Sequence, residues 1–446
     1  MEIFSDRRFR IVLFLSISVS LVGCAFLSWF AGVRGLDPIS LTGDSKGYIY
    51  LAENILEHQV FSAAQSEPFY PESFRAPGYP AFLAVLFALF GTSVVALFVH
   101  ALIASIAPVL LYLIFLPIHE RAAFWAAIIF TLEPVRIYLS ASFLSDAFFT
   151  LIFLASLLCL MRIRNPLVAA VSAGALLGIA ILVRPIAMFL PILYVLYVLA
   201  TIRPWKTSII SAALLCIVSA AVVFPWMYRN HQLFDSWNVS SVGSANLMLY
   251  NAPEFLKWNT NPDTQALLDS FREEQAALSR EEALSLARSA VFTDTFREII
   301  RGNEVSYIFF HFLKTAPFFL TDGLRDTVRL FGVDIGTMPN ISTALMRGNV
   351  GLFITYVSTG GLAIALFIIG TGFWGIITLL FGLETLRAAW RREWLPTIFL
   401  ASLVVYFALL TGPVSNARYR VPVEGLMFFV ALSLTHRLIK NQYPHQ

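Results

Sequence analysis

Apolar stretches of about 20 residues recur along this chain, almost free of charge and separated by short connections carrying arginine and lysine. A hydrocarbon layer of roughly 30 Å takes about 20 apolar residues as helix, and it offers no partner to exposed backbone groups. Runs of this kind fall near 11–31, 93–117, 122–140, 143–161, 167–183, 186–202, 207–226, 358–385, 394–412 and 421–436. We therefore expect an all-α polytopic membrane protein of about ten spans. The share of hydrophobic residues, 58% against 13% charged, and a mean hydropathy of +0.74 exclude a soluble domain. A formal net charge of +3 is too small to indicate a nucleic-acid partner. Cys24, Cys159 and Cys216 all sit inside apolar runs, so neither a disulfide framework nor a metal cluster is expected. The first run follows Arg7, Arg8 and Arg10 as a secretory leader would. Its length and the lack of a small-residue cleavage site favour a retained anchor.

Basic residues set the expected orientation. With a cytoplasmic N-terminus, Arg121, Arg162/Arg164, Arg203/Lys206, Arg387/Arg391/Arg392 and Arg437/Lys440 all fall on the cytoplasmic side, as the positive-inside rule asks. Both termini are then inside. The opposite side receives the loop 32–92, Arg136, Asp146, Arg184, the long segment 227–348 and Arg418/Arg420. This divides the chain into an N-terminal transmembrane module, 1–226, an outer helical segment, 227–348, and C-terminal transmembrane helices, 349–446. Charged groups beside a bilayer are costly unless they face a cavity or each other, so their gathering on one side marks a candidate site. Lipid-headgroup contact is the plainer alternative for any one arginine.

The loop 32–92 holds the densest cluster of polar motifs. Asp44 stands where Tyr48, Leu51, Ala52, Ile55 and Leu56 recur at helical spacing, predicting an amphipathic helix along the membrane surface. Asp44 could be simply its N-cap. Farther on, Pro77 and Gly78 open an apolar helix that Gly91 closes. Arg75, just before that helix start, offers a bidentate donor suited to phosphate; an ion pair with Glu67 or Glu72 is the alternative. In the long outer segment, 264–301 reads as helical, with a capping box at Ser279 and Glu282. The aromatic run 307–320 around His311 reads as interfacial. No P-loop, Rossmann glycine fingerprint or Asp-x-Asp pair is present.

In order along the chain stand Gly43-Asp44-x-x-x-Tyr48, Arg75-Ala76-Pro77-Gly78-Tyr79-Pro80, Leu182-Val183-Arg184-Pro185, Pro225-Trp226-Met227-Tyr228-Arg229-Asn230 and Ala417-Arg418-Tyr419-Arg420-Val421-Pro422. That order resembles the GT-C superfamily of polyprenyl-phosphate-sugar-dependent glycosyltransferases, of the protein O-mannosyltransferase and aminoarabinose transferase types, over about 11–436. Two departures stand out. Ser45, not a second acid, follows Asp44, and Phe74-Arg75 replaces an acid-plus-lysine pair.

The resemblance implies a GT-C-like bundle with amphipathic juxtamembrane helices and a small outer helical lobe. It also implies a sugar donor on a polyprenyl phosphate and an acceptor that is a glycan, lipid or protein; compact loops and short tails favour a bacterial inner membrane with a periplasmic site, the endoplasmic reticulum being the alternative. Departure of the phosphate leaves nearly two negative charges, which calls for fixed cations. Arg75, Arg184, Arg418 and Arg420 are the candidates, with Tyr48, Tyr79 and Tyr419 as supporting aromatic or hydroxyl groups. Asp44 is the candidate general base for the acceptor hydroxyl, and the absence of a second carboxylate in its motif predicts inversion. Asp146 would bind sugar, orient Asp44 or pair with Arg136. No cofactor is expected. An O-antigen-ligase-like transferase would lean instead on His231 or His311. A transporter or flippase of a lipid-linked sugar would carry more charge deep in its spans.

Overall fold

The computed structural model describes residues 5–259, 262–323, 361–393 and 395–442. Helices dominate, as a chain must arrange when its backbone lies in lipid. The first, α1 (Arg7–Val33), starts at an Asp6 cap that accepts from Arg8 N–H and from the Tyr112 hydroxyl at 2.7 Å. It is followed by α2 (Gly43–Glu57) and α3 (Gly78–Phe90), both too short or too polar to cross a membrane. Then come α4 (Val94–Ala104), α5 (Ile106–Phe115), α6 (Glu120–Leu132), α7 (Pro134–Ser140), α8 (Ser145–Arg162), α9 (Pro166–Val183), α10 (Leu190–Thr201) and α11 (Trp205–Phe234).

Seven helices among the described residues are long and apolar enough to span, eight if one bent pair is counted as a span. Eight lies within the expected ten plus or minus two, and the runs that do not count as full spans among the described residues have identifiable reasons. In the run 122–140, Pro134 cannot continue the helix of α6, so the chain bends by 63° and Glu133 caps α7 by accepting from Arg136 N–H at 2.6 Å. The run 186–202 begins as a single 3₁₀ turn and leaves only Leu190–Thr201 as α-helix. The last run forms part of α18 (Ala417–Gln442), whose opening turns contain Arg418, Arg420 and Glu424. The other two C-terminal helices, α16 (Gly361–Trp390) and α17 (Thr397–Thr411), fall where expected.

Close approach binds the bundle. On α9, a Cβ at Gly174 would lie 2.6 Å from the Leu215 carbonyl of α11, and one at Gly178 would lie 2.9 Å from the Ser219 carbonyl. Small residues at this four-residue spacing let two helix backbones touch. The alternation of helix direction then separates two ends. At one, Pro117, Arg162, Tyr197 and Leu395 share a small crevice. The other end collects α2, the start of α3, Ser145, Arg184 and Arg418.

A lobe with its own core caps this second end. It comprises α12 (Ala252–Trp258), α13 (Pro262–Ala276), α14 (Ser289–Ile300) and α15 (Glu304–Leu313), packed around Phe255, Phe271, Phe292, Phe296 and Phe310. The expected capping box at Ser279 and Glu282 forms, with both reciprocal bonds. Its helix is only Arg280–Ala283, so the run read as one helix is several short pieces. On α15, Val305, Ile308, Phe309 and Phe312 stay exposed on one face.

Candidate active site

The helix start at Thr42 decides what Asp44 is free to do. Thr42 Oγ1 accepts from Ser45 N–H at 3.1 Å and is the cap of α2. Asp44 therefore sits in the first turn with its carboxylate uncommitted to the backbone, a correction to the capping alternative. Instead it accepts from Arg75 Nη2 at 3.0 Å through Oδ1 and from Arg418 Nη1 at 3.0 Å through Oδ2.

Arg75 reaches that position because three local features place it. Glu72 Oε1 accepts from the N–H groups of Phe74 and Arg75, which settles the Glu72 alternative as a backbone turn and not a side-chain ion pair. Gly47 provides room: a Cβ there would lie 3.1 Å from Arg75 Nη2. The Tyr48 ring covers the guanidinium at 4.1 Å, a cation–π contact, and its hydroxyl shares a 3.1 Å hydrogen bond with Ser145. Gly78, at the start of α3, lies so close to α9 that a Cβ would stand 2.8 Å from the Leu182 carbonyl oxygen, bringing the Arg75 loop to the end of α9.

At that end, Arg184 is the first residue past α9 and pairs with Asp146, which opens α8 and is itself buried. The Arg136 alternative is thereby corrected, since Arg136 donates to the Thr131 carbonyl and Ser20 instead. Arg418 closes the group. Its Nε donates to Asp146 Oδ2 at 2.8 Å while Nη1 holds Asp44, so one guanidinium bridges both carboxylates. Tyr419 offers its ring to Arg184 at 5.5 Å. Three guanidiniums against two carboxylates leave one net positive charge. Burial alone would raise the Asp44 carboxyl, but Arg75 and Arg418 outweigh it and pull the group down to about 2.

These residues lie along a cavity of about 1560 Å³. Asp44, Tyr48, Arg75, Arg184, Arg418 and Tyr419 line it, and the lobe closes it with Asn238, Ser244 and Lys314 among others. Ile186, Met188, Phe189, Leu320 and Leu410 supply an apolar wall. The outer segment is tied directly to the loop before α3: Leu286 N–H donates to Ser73 Oγ at 2.9 Å, and Ser241 N–H to the Ser73 carbonyl at 3.1 Å.

Three of the expected site residues do not line the cavity. Asp146 is buried and engaged by Arg184 and Arg418, a correction to its expected sugar contact. Tyr79 is fully buried, its hydroxyl bonded to His100 Nε2 at 3.2 Å. Arg420 is fully buried on the bundle side of α18. Neither histidine of the ligase alternative lines the cavity. His311 is held between the Tyr307 hydroxyl and the Leu409 carbonyl, and His231 stacks on Trp237 at 4.4 Å. Among the described residues no three Asp, Glu, His or Cys side chains converge as a metal ion would need. Ser145, Gly47 and Arg229, which holds the Glu72 carbonyl at 2.9 Å, escaped sequence reasoning. Arg229 stands inside the Pro225–Asn230 motif and Gly47 inside the Gly43–Tyr48 motif without having been given a role, and Ser145 is next to Asp146.

Residues 74–228 match a protein family described as dolichyl-phosphate-mannose-protein mannosyltransferase. Among solved structures, the oligosaccharyltransferase AglB of Archaeoglobus fulgidus, in complex with an inhibitory peptide and a dolichol-phosphate, is similar at 16% identity and a TM-score of 0.54. That likeness covers 99% of this chain and 53% of AglB. A second structure of the oligosaccharyltransferase from the same organism, tethered to an acceptor peptide, gives 15% identity and a TM-score of 0.54, covering 100% of this chain and 52% of that one. The chain thus spans about half the length of these relatives. No curated protein matches it in sequence. The fold likeness and the matched segment point the same way as the motifs: an integral membrane protein with a fold similar to that of the oligosaccharyltransferases.

Proposed function

We propose that the protein is a glycosyltransferase that moves a sugar from a polyprenyl-phosphate donor to an acceptor hydroxyl, with the reaction on the periplasmic face of a bacterial inner membrane. The observation that carries the reading is the bridge of Arg418 between Asp44 and Asp146, flanked by Arg75 and Arg184 at the mouth of one cavity. One net positive charge suits a phosphodiester with one negative charge. An arginine has five N–H donors in a fixed fork, so each guanidinium can hold a carboxylate and a phosphate oxygen together.

In the proposed step the acceptor oxygen attacks the anomeric carbon as the bond from that carbon to the phosphate oxygen breaks. The acceptor proton passes to Asp44, and the polyprenyl phosphate leaves with nearly two charges, held by Arg75, Arg184 and Arg418. A carboxyl pulled to about 2 is a weak base, which fits a proton that moves late, after the leaving group has taken its charge. Asp146, buried and pinned by two arginines, orients Arg418 and Arg184. A single displacement inverts the anomeric centre. The apolar wall at Phe189 and Leu410, both partly exposed on the bundle surface, would take the isoprenoid tail. Basic connections at the opposite end support a cytoplasmic location for both termini.

The test is release of polyprenyl phosphate from a panel of polyprenyl-phosphate sugars by the purified protein, with glycan and glycolipid profiles of a deletion strain as acceptor guide. The reading requires turnover of at least one donor and a missing glycan in the deletion strain. Lipid-linked sugar that crosses vesicles unhydrolysed, with no transfer, would make the protein a transporter and overturn it.

A further inference from the structure

Arg420 belongs to the same short motif as Arg418 yet points away from the cavity. Its guanidinium donates through Nε to Glu424 Oε1 at 3.1 Å, through Nη1 to the Phe318 carbonyl at 2.6 Å and through Nη2 to the Thr321 carbonyl at 2.7 Å. The Trp374 ring of α16 lies 3.4 Å from its Cζ. Glu424, one turn along α18, is fully buried, and its Oε2 has no hydrogen-bond partner among the described residues. Desolvating such a pair costs several kcal/mol, and an apolar side chain would fill the space at less expense. Packing alone does not account for this charge.

What the charge does accomplish is directional. Phe318 lies in the short helix Ala316–Leu320, which leads out of the lobe, and Ala316, Pro317, Leu320 and Thr321 form part of the cavity wall. Thr378 of α16 donates to the Phe319 carbonyl at 3.1 Å, so that helix is held from two sides. Arg420 therefore ties three things together: the lobe exit, α16 and the opening turn of α18. That opening turn carries Arg418, whose fork must meet carboxylates on two other helices at once. A small rotation or slide of α18 would break one of those bonds.

We propose that Arg420, oriented by Glu424, is a positioning residue that fixes the register of α18 so that Arg418 spans Asp44 and Asp146. This rests on Arg418 being a phosphate ligand, as proposed above. Lysine at 420 keeps the charge but cannot hold two carbonyls and a carboxylate in one plane.

The experiment measures binding of labelled polyprenyl phosphate, without sugar, to the full-length protein in nanodiscs. Four forms are compared: unaltered, Arg418→Lys, Arg420→Lys and the double variant. Arg420→Lys should weaken binding about tenfold or more, since a displacement of about 1 Å is felt on that scale. In the Arg418→Lys background it should add little, because residues acting through one another are not additive. Glu424→Gln, which keeps an acceptor for Arg420 Nε, should show the same pattern with a smaller loss, and it carries the test if Arg420→Lys does not fold. Unchanged binding in a folded variant, or a full multiplicative loss in the double, overturns the proposal. If Arg418→Lys itself leaves binding intact, the phosphate-ligand reading fails first.

Discussion

Asp44→Asn removes one negative charge while keeping the side chain's volume and one accepting oxygen. Three guanidiniums would then face one carboxylate. A phosphate oxygen sharing Arg75 or Arg418 with the Asp44 carboxylate would sit roughly 6 Å from it, where unit charges at an effective dielectric near 20 repel by roughly 2–3 kcal/mol. Water at the cavity mouth screens part of this, because the Asp44 side chain is 45% exposed. A residual of about 1.4 kcal/mol corresponds to binding about tenfold tighter. Loss of a general base, in contrast, lowers transfer by about 10²–10⁴. The variant should thus bind polyprenyl phosphate more tightly and turn over far more slowly. Both quantities are read on one nanodisc preparation, by equilibrium binding of labelled polyprenyl phosphate and by release of that lipid from its sugar-loaded form. Transfer at the unaltered rate refutes Asp44 as base. Weaker binding in a folded variant refutes the electrostatic reasoning, because it would make Asp44 chiefly an organiser of the arginines.

Other consequences follow from the same geometry. The folded Asp44 carboxyl lies near 2, below its ordinary value, so the stability that its ionisation contributes is fully present above about pH 4 and is lost only as pH falls through about 2; a pH–rate profile should show no acidic limb from Asp44 between about pH 5 and 7. Tyr79→Phe should leave phosphate binding unchanged and cost about 1 kcal/mol of stability through the lost His100 bond, read by thermal unfolding. Gly78→Ala, which drives a Cβ to 2.8 Å from the Leu182 carbonyl oxygen, should lower the unfolding midpoint and cost about 1–3 kcal/mol, with reduced transfer as the Arg75 loop is pushed from α9. His231→Ala and His311→Ala should keep transfer activity, and a loss of more than about tenfold in either with folding intact would favour the histidine-dependent alternative.

How much was legible in the sequence depended on whether a signal was local. Helix punctuation such as Pro77, Gly78 and Gly91, and the Ser279 capping box, was read correctly because each depends on neighbours within a turn. Spans were located, but which runs are full spans was not legible, because hydrophobicity does not register the break at Pro134 or the shortness of Leu190–Thr201. Asp44, Arg75, Asp146, Arg184 and Arg418 come together from four helix ends and one loop distant in sequence, and the motif order pointed to them. Which way each side chain turns was not readable. Arg418 and Arg420 are two residues apart on one helix, and the 3.6-residue period sends one into the cavity and the other into the bundle. Whether Asp44 was the cap stayed open for a similar reason, since Thr42 and Asp44 are both capable caps and the structure gives that bond to Thr42.

The central claim is that Arg75, Arg184 and Arg418 form one phosphate site beside Asp44. A structure of the protein with polyprenyl phosphate bound tests it most directly. The phosphate should lie within about 3 Å of guanidinium nitrogens of at least two of these arginines, the distance of a charge-assisted hydrogen bond. A phosphate held elsewhere, with the Asp44–Arg418–Asp146 bridge undisturbed, would contradict it.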